Sequence, residues 1–294
     1  MQVTLVNYTQ EARELLLFTK QTRLSMDAGL MQEIRDWPEE RKQKELDYML
    51  GTIKSSWEFC DYVFSIDSVS RAFTHQFVRT RSGHYAQQSQ RTVDMSGFDY
   101  ITPQAFPQAA EDFDLKTINY WQTMEKINEG YQELIQLGAN PQDARGLLPT
   151  NVSTNIIAKF NLRTLSEMAR VRLCTRTQGE YQNVFREMRA AVISVHPWAE
   201  PFIRVACAAD GVCCFPNYME CPIKGGIFNP DTAIRWDRKT EENGEYASCL
   251  TRSEIQVIWD GTRFEAVPKQ MMNESKPFQR GIDCCQGVGC NQCL

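Results

Sequence analysis

What this chain has little of sets the first bounds. No apolar run approaches the ~20 residues that a helix needs to cross a bilayer, so no membrane span is expected. The opening Met1-Gln-Val-Thr-Leu-Val6 has no basic stretch leading into an apolar core, so no secretory signal is expected either. Positive charge is not in excess: 32 Lys and Arg stand against 37 Asp and Glu, a formal charge of −5. That balance argues against a general nucleic-acid binder and makes any arginine cluster a local device. Cysteine is nearly missing from the first 200 residues, where only Cys60 and Cys174 occur. These absences together point to a cytoplasmic protein with reduced thiols.

What is present is ordinary in bulk and uneven in detail. At 294 residues, 42% hydrophobic and 23% charged, the chain can hold one large domain and one small one. The other nine cysteines lie between Cys207 and Cys293. This break places a boundary near Pro197 to Pro201, giving a main domain over 1–200 and a cysteine-rich extension over 201–294.

The stretch Gln76 to Arg91 is the most concentrated chemistry in the chain. It holds three arginines (Arg79, Arg81, Arg91) and four glutamines, with no acid among its sixteen residues. The run before it, Ser68 to Val78, carries Val69, Ala72, Phe73 and Phe77 at helical spacing. Arg79 and Arg81 then sit at or just past the end of that helix, where the chain passes through Ser82-Gly83 into an irregular loop. Guanidinium forks with hydroxyl and amide donors suit phosphate oxygens and a polar heterocycle. The competing reading is a solvated basic loop.

Around this stretch the patterns alternate little. Gln10 to Gln21 and Pro38 to Ile53 read as helices, Phe59 to Ile66 as a strand, and Thr92 to Pro107 as loop. Glu111 to Leu137 reads as a long amphipathic helix, closed by Gly138-Ala-Asn140-Pro141 before a short helix bearing Arg145. Thr150 to Lys159 suits a strand, and Asn161 to Leu173 and Gln178 to Val195 suit helices. Arg172 falls near an apolar face, where it needs an anionic or carbonyl partner; an ion pair to Glu167 or Glu180 would serve. The expected class is α+β, with long helices around a small mixed sheet.

The extension reads differently. Glu254 to Trp259 and Thr262 to Val267 flank Asp260-Gly261, which signals a β-hairpin. So few strands bury little apolar area and call for a staple. Cys207, Cys213, Cys214, Cys221, Cys284, Cys285, Cys290 and Cys293 are candidate thiolate ligands for a structural Zn2+. An iron–sulfur cluster, disulfides or free thiols are the alternatives.

Arg79-x-Arg81 followed seven residues on by Ser89 resembles the Arg-His-Arg-x7-Ser signature of flavin-dependent thymidylate synthases. Thr22-Arg-Leu-Ser25 and Ser55-Ser56-Trp57-Glu58 resemble that family's upstream blocks. Asp143-Ala-Arg145-Gly-Leu-Leu-Pro149, Asn161-Leu-Arg163-Thr-Leu165 and Arg172 resemble its downstream ones. Six blocks in order over roughly residues 1 to 200 carry the resemblance.

The resemblance implies a homotetramer with active sites shared between subunits. In such a site a one-carbon unit passes from methylenetetrahydrofolate to a pyrimidine deoxynucleotide monophosphate, dUMP, with FAD and NADPH supplying reduction. It implies that Gln76, Arg79, Gln87, Gln88, Ser89, Arg91 and Arg145 hold the nucleotide and that Arg172 faces the base. Ser25, Ser56, Arg79, Thr80, Arg81, Asn161 and Arg163 would contact FAD. No protein nucleophile is needed, and a lone Cys60 or Cys174 reads as a small core residue.

Three positions depart from the family pattern: Thr80 stands where it has histidine, Gln87 where it usually has Glu, and Glu167 where it usually has Asn. Glu167 could orient a water, which would turn the product into a hydroxymethyl-pyrimidine nucleotide, or it could simply pair with Arg163 one turn away. A non-catalytic nucleotide- or flavin-binding relative with a partner-docking tail is the remaining alternative.

Overall fold

The computed structural model describes residues 1–21, 24, 27, 29–52, 54–103, 115–174, 176–210, 255–259 and 264–268. Its centre is a four-stranded sheet of β1 (Gln2–Tyr8), β2 (Asp61–Ser70), β3 (His84–Gln87) and β4 (Ser153–Asn161), in the order β1-β2-β4-β3. Every neighbouring pair is antiparallel, so the mixed sheet expected from the sequence is corrected. The physical reason lies in burial. Tyr62, Phe64 and Ile66 of β2 and Ile156, Ala158 and Phe160 of β4 point inward, while Asn155 and Ile157 are exposed. A sheet covered on one face alternates in this way and suits antiparallel pairing, whereas parallel sheets are usually buried on both faces.

Helices α1 (Ala12–Gln21), α2 (Leu30–Arg35) and α3 (Glu39–Leu50) lie between β1 and β2 in sequence. Helix α4 (Arg71–Phe77) follows β2 directly, α5 (Leu115–Gln136) and α6 (Pro141–Ala144) precede β4, and α7 (Leu162–Arg172) and α8 (Gly179–Val195) follow it. The principal core joins the sheet to α1, α3, α4, α7 and α8, and runs on past a 3-10 turn at Pro197–Phe202 into α9 (Ala206–Asp210), as far as Ala208. A smaller core around Met95, Phe98, Tyr131, Ala144 and Val152 seats α5 and α6. The predicted helices form with ends shifted by a few residues. Two strands were not anticipated, β1 and β3.

Strands β5 (Ile255–Trp259) and β6 (Phe264–Pro268) pair antiparallel with Trp259 opposite Phe264, which is the hairpin expected around Asp260-Gly261. Cys213, Cys214, Cys221, Cys284, Cys285, Cys290 and Cys293 lie outside the described residues, as does Ser25.

Candidate active site

Helix α4 is set by its cap. The Ser70 hydroxyl accepts from the Phe73 N–H at 2.9 Å, and the buried Phe73 and Phe77 lock the helix inward. Phe73 and Phe77 meet Tyr181 of α8 edge-on, with ring centroids 5.1 and 5.8 Å apart, and Phe77 meets Phe160 at 5.3 Å. The chain then tightens through Arg79 and Thr80 and turns into β3. The Tyr85 hydroxyl sits 3.0 Å from the Phe77 carbonyl and 2.8 Å from that of Thr80. Burial pushes this phenol's pKa up, so it stays a donor.

Gly83 is required by close approach: a Cβ there would stand 2.3 Å from Phe160 Cε1 and 2.6 Å from the Tyr85 hydroxyl. The expected irregular loop is thus interrupted from His84 to Gln87 and resumes at Gln88. Those four residues form an edge strand paired to β4, Tyr85 opposite Ala158 and Gln87 opposite Ile156.

Between α4, β3 and Thr150 lies a cavity of about 480 Å3, lined on its polar side by Arg71, Thr74, His75, Gln76, Gln87 and Thr150. Gln87 Nε2 donates to Thr74 Oγ1 at 2.7 Å, and Arg79 Nη2 lies 3.1 Å from His75 Nε2. Arg91 reaches across to α6, donating to Gln142 Oε1 at 3.0 Å, and its own N–H donates to the Ser89 hydroxyl at 3.2 Å. Helix α6 is capped by Asn140, whose Oδ1 accepts from the Gln142 N–H, and ends at Arg145. Arg71 lies close enough to Arg145 that the second cation adds to burial in disfavouring its charge. Gln88 offers Arg71 only its carbonyl oxygen, at 3.5 Å. Arg71 lies outside the stretch that the sequence singled out. Only its place one helical turn before His75 could have flagged it.

The pairing of the arginines is uneven. Arg13, Arg35, Arg163, Arg170, Arg189 and Arg204 all hold carboxylates. Among the described residues Arg71, Arg79, Arg81, Arg91, Arg145 and Arg172 hold none, although the chain has more acids than bases. Guanidiniums gathered without acids leave their N–H forks for an anionic ligand.

Arg172, at the end of α7, has neither of the ion pairs foreseen for it. Glu167 accepts from Arg163 Nε at 3.1 Å, and Glu180 is bound to Ser70. Arg172 instead lies over the Tyr181 ring, 4.4 Å from guanidinium carbon to centroid. Arg163 also donates to Glu58 at 2.6 Å. Asn161 caps α7, its Oδ1 accepting from the Thr164 N–H at 2.9 Å, which leaves its amide N–H groups as donors. Ser56 is buried. Thr80 is half-buried close to Tyr181, and Arg81 is exposed. Cys60 is a core residue whose thiol donates to the Ala12 carbonyl; burial, with the Asp61 charge second, pushes its pKa up to about 12. Such a thiol is no nucleophile at neutral pH. Among the described residues no His, Cys, Asp and Glu cluster of metal-site geometry occurs, and Cys207 is partly exposed on α9.

An α+β body gathers arginines at the start of α4, before and after the edge strand β3 and at the end of α6. They hold no carboxylate among the described residues, an arrangement of the class that suits a phosphorylated, heterocyclic ligand. Residues 4–198 match the family described as thymidylate synthase complementing protein. The chain is 31% identical over 214 residues to the flavin-dependent thymidylate synthase of Clostridium tetani, covering 67% of this chain and 84% of that one. It is 32% identical over 199 residues to that of Sulfurisphaera tokodaii (67% and 75%), and 30% identical over 229 residues to that of Nitratidesulfovibrio vulgaris (72% and 90%). This chain belongs to the flavin-dependent thymidylate synthase family.

Proposed function

We propose that the main domain, residues 1–200, is a flavin-dependent thymidylate synthase that methylates carbon 5 of dUMP. The observation that carries the reading is the set of arginines without a carboxylate among the described residues, Arg71 lining the α4–β3 cavity and Arg79 on its neighbour His75, in a chain of this family. Gln76, Arg79, Gln87, Gln88, Ser89, Arg91 and Arg145 bind the phosphate and ribose, with Arg71 added to them. Arg71 lining the cavity, with the Arg145 charge near it and no carboxylate in the lining, suits a phosphate dianion better than a neutral group. Arg172 meets the base and stabilises negative charge developing on the ring, as preorganised donors do in sites that exclude water.

The residues on the flavin side fit a dinucleotide cofactor. Arg79 and Arg81 are exposed and hold no acid among the described residues, as suits a diphosphate, and the Asn161 amide and the remaining Arg163 nitrogen can still donate. Ser25, Ser56 and Thr80 complete the set we assign to FAD. When bound, FAD supplies the hydride that reduces the transferred one-carbon unit to methyl. The co-substrates in this reading are methylenetetrahydrofolate and NADPH, and the assembly is a cytoplasmic homotetramer. No protein thiolate is needed, consistent with the raised pKa of Cys60. Glu167 in this reading supports Arg163 rather than a water.

The test is anaerobic turnover of dUMP with methylenetetrahydrofolate, followed by product mass, with and without NADPH. Formation of dTMP only when NADPH is present is the expected result. A hydroxymethyl product made without NADPH would overturn it. We further assign a structural Zn2+ to the cysteines of 201–294, on sequence alone. Near-stoichiometric zinc in protein purified without chelator supports this, and metal-free protein removes it.

A further inference from the structure

Tyr181 is a buried aromatic of α8 that takes no part in the site as derived so far. Its ring is fully buried, edge-on to Phe73 and Phe77, and it carries the Arg172 guanidinium on its face at 4.4 Å. Its hydroxyl is buried and makes no hydrogen bond of good geometry, although Arg172 and Thr80 stand near enough to act on it. A buried phenol is ordinarily partnered, so an orphan beside two polar side chains marks a place where something is still to be completed.

The acids that could have held Arg172 are engaged elsewhere. Glu180, next to Tyr181 on α8, accepts from the Ser70 N–H at 2.7 Å and from its hydroxyl. Glu167, on the same helix as Arg172, accepts from Arg163. A carboxylate would fix Arg172 but would also neutralise it. An aromatic face fixes the guanidinium plane and leaves its charge and its in-plane N–H groups available.

We propose that Tyr181 is a positioning residue for Arg172, its ring holding the guanidinium un-neutralised toward the base and its unpaired hydroxyl, beside Thr80, offering an acceptor when the guanidinium turns to the ligand. This rests on the reading that Arg172 meets the pyrimidine. Thr80 is the signature position where the family pattern has histidine, so the arrangement ties that departure to a residue on another helix.

The test is dUMP affinity by calorimetry on the full chain, for Tyr181→Phe, Tyr181→Leu, Arg172→Ala and the double variant Tyr181→Leu/Arg172→Ala. Arg172→Ala should weaken binding at least tenfold. Tyr181→Leu should weaken it about five- to tenfold, and the double variant no further than Arg172→Ala, because the ring acts through the guanidinium. Tyr181→Phe keeps the face and should stay within about threefold of the parent. An Arg172→Ala protein that binds dUMP normally sinks the reading of Arg172 itself. With that loss in place, a Tyr181→Leu protein of normal affinity, or one whose loss adds in full to that of Arg172→Ala, overturns the positioning role. Should Tyr181→Leu not fold, Tyr181→Phe decides alone: a loss as large as that of Arg172→Ala overturns the role of the ring.

Discussion

Glu180 holds Ser70 twice, accepting from its backbone N–H and from its hydroxyl, while the same hydroxyl accepts from the Phe73 N–H. The start of α8 is thereby tied to the start of α4, one residue before Arg71. Ser70→Ala removes the helix cap and a charge-assisted hydrogen bond together. It should cost about 2–3 kcal/mol of unfolding free energy in urea and weaken dUMP binding by displacing Arg71. An unchanged urea midpoint would show that the tie carries no stability.

Arg71→Gln addresses the residue that the sequence did not flag. Losing one charged hydrogen bond to a phosphate costs about 1.5–3 kcal/mol, roughly 10- to 150-fold in Kd. The loss should appear for dUMP and be absent for deoxyuridine, which has no phosphate. Equal effects on both ligands would place Arg71 away from the phosphate.

Gly83→Ala tests the passage from α4 to β3. A methyl group 2.3 Å from the Phe160 ring forces that ring or the strand aside. Overpacking of this kind costs about 1–3 kcal/mol. A lowered Tm with weakened dUMP binding is expected, and a fully stable variant would mean that the ring yields freely.

His196 supplies a pH dependence. Burial lowers its pKa, opposed in part by Glu14, and its Nδ1 lies 3.1 Å from the Tyr62 hydroxyl. Burial raises the Tyr62 pKa, so the phenol remains the donor and the imidazole the neutral acceptor. A folded-state pKa below the unfolded value means that the unfolded chain binds the extra proton first. The stabilisation is full above the unfolded value of about 6.5 and is lost as pH falls from there through the folded pKa. Urea titrations at pH 7.5 and 5.5 should show a loss in the parent that is absent in His196→Phe. The same loss in both proteins would assign it to carboxylates.

Strands β2 and β4 and helices α3, α5, α7 and α8 were legible because each buries one face, and the period of that face is written in residues such as Tyr62, Phe64 and Ile66. Strand β1 was not, because an apolar Val6 occupies its outward face and a bulge between Leu5 and Asn7 breaks the alternation, leaving Asn7 exposed as well. Strand β3 was not, because only Tyr85 of its four residues is a large apolar one, and pairing with β4 rather than pattern makes it a strand. The arginine blocks were visible as a motif. That they hold no acid among the described residues is a fact of three dimensions, since Glu167 and Glu180 stand close to Arg172 in sequence yet face other partners. Tyr181 reads as core from its spacing, and only its orphan hydroxyl and the guanidinium above it distinguish it.

The wedge of Gly83 between Phe160 and Tyr85 reaches beyond sterics. An edge strand is ordinarily the first part of a sheet to fray, yet this one is riveted to rings at the centre of the hydrophobic core. Its amides should exchange with solvent nearly as slowly as those of β2, because opening them means opening the core. The arginines on either side of it are thus mounted on a part of the molecule that is already still before a ligand arrives. Little ordering entropy is left for binding to overcome.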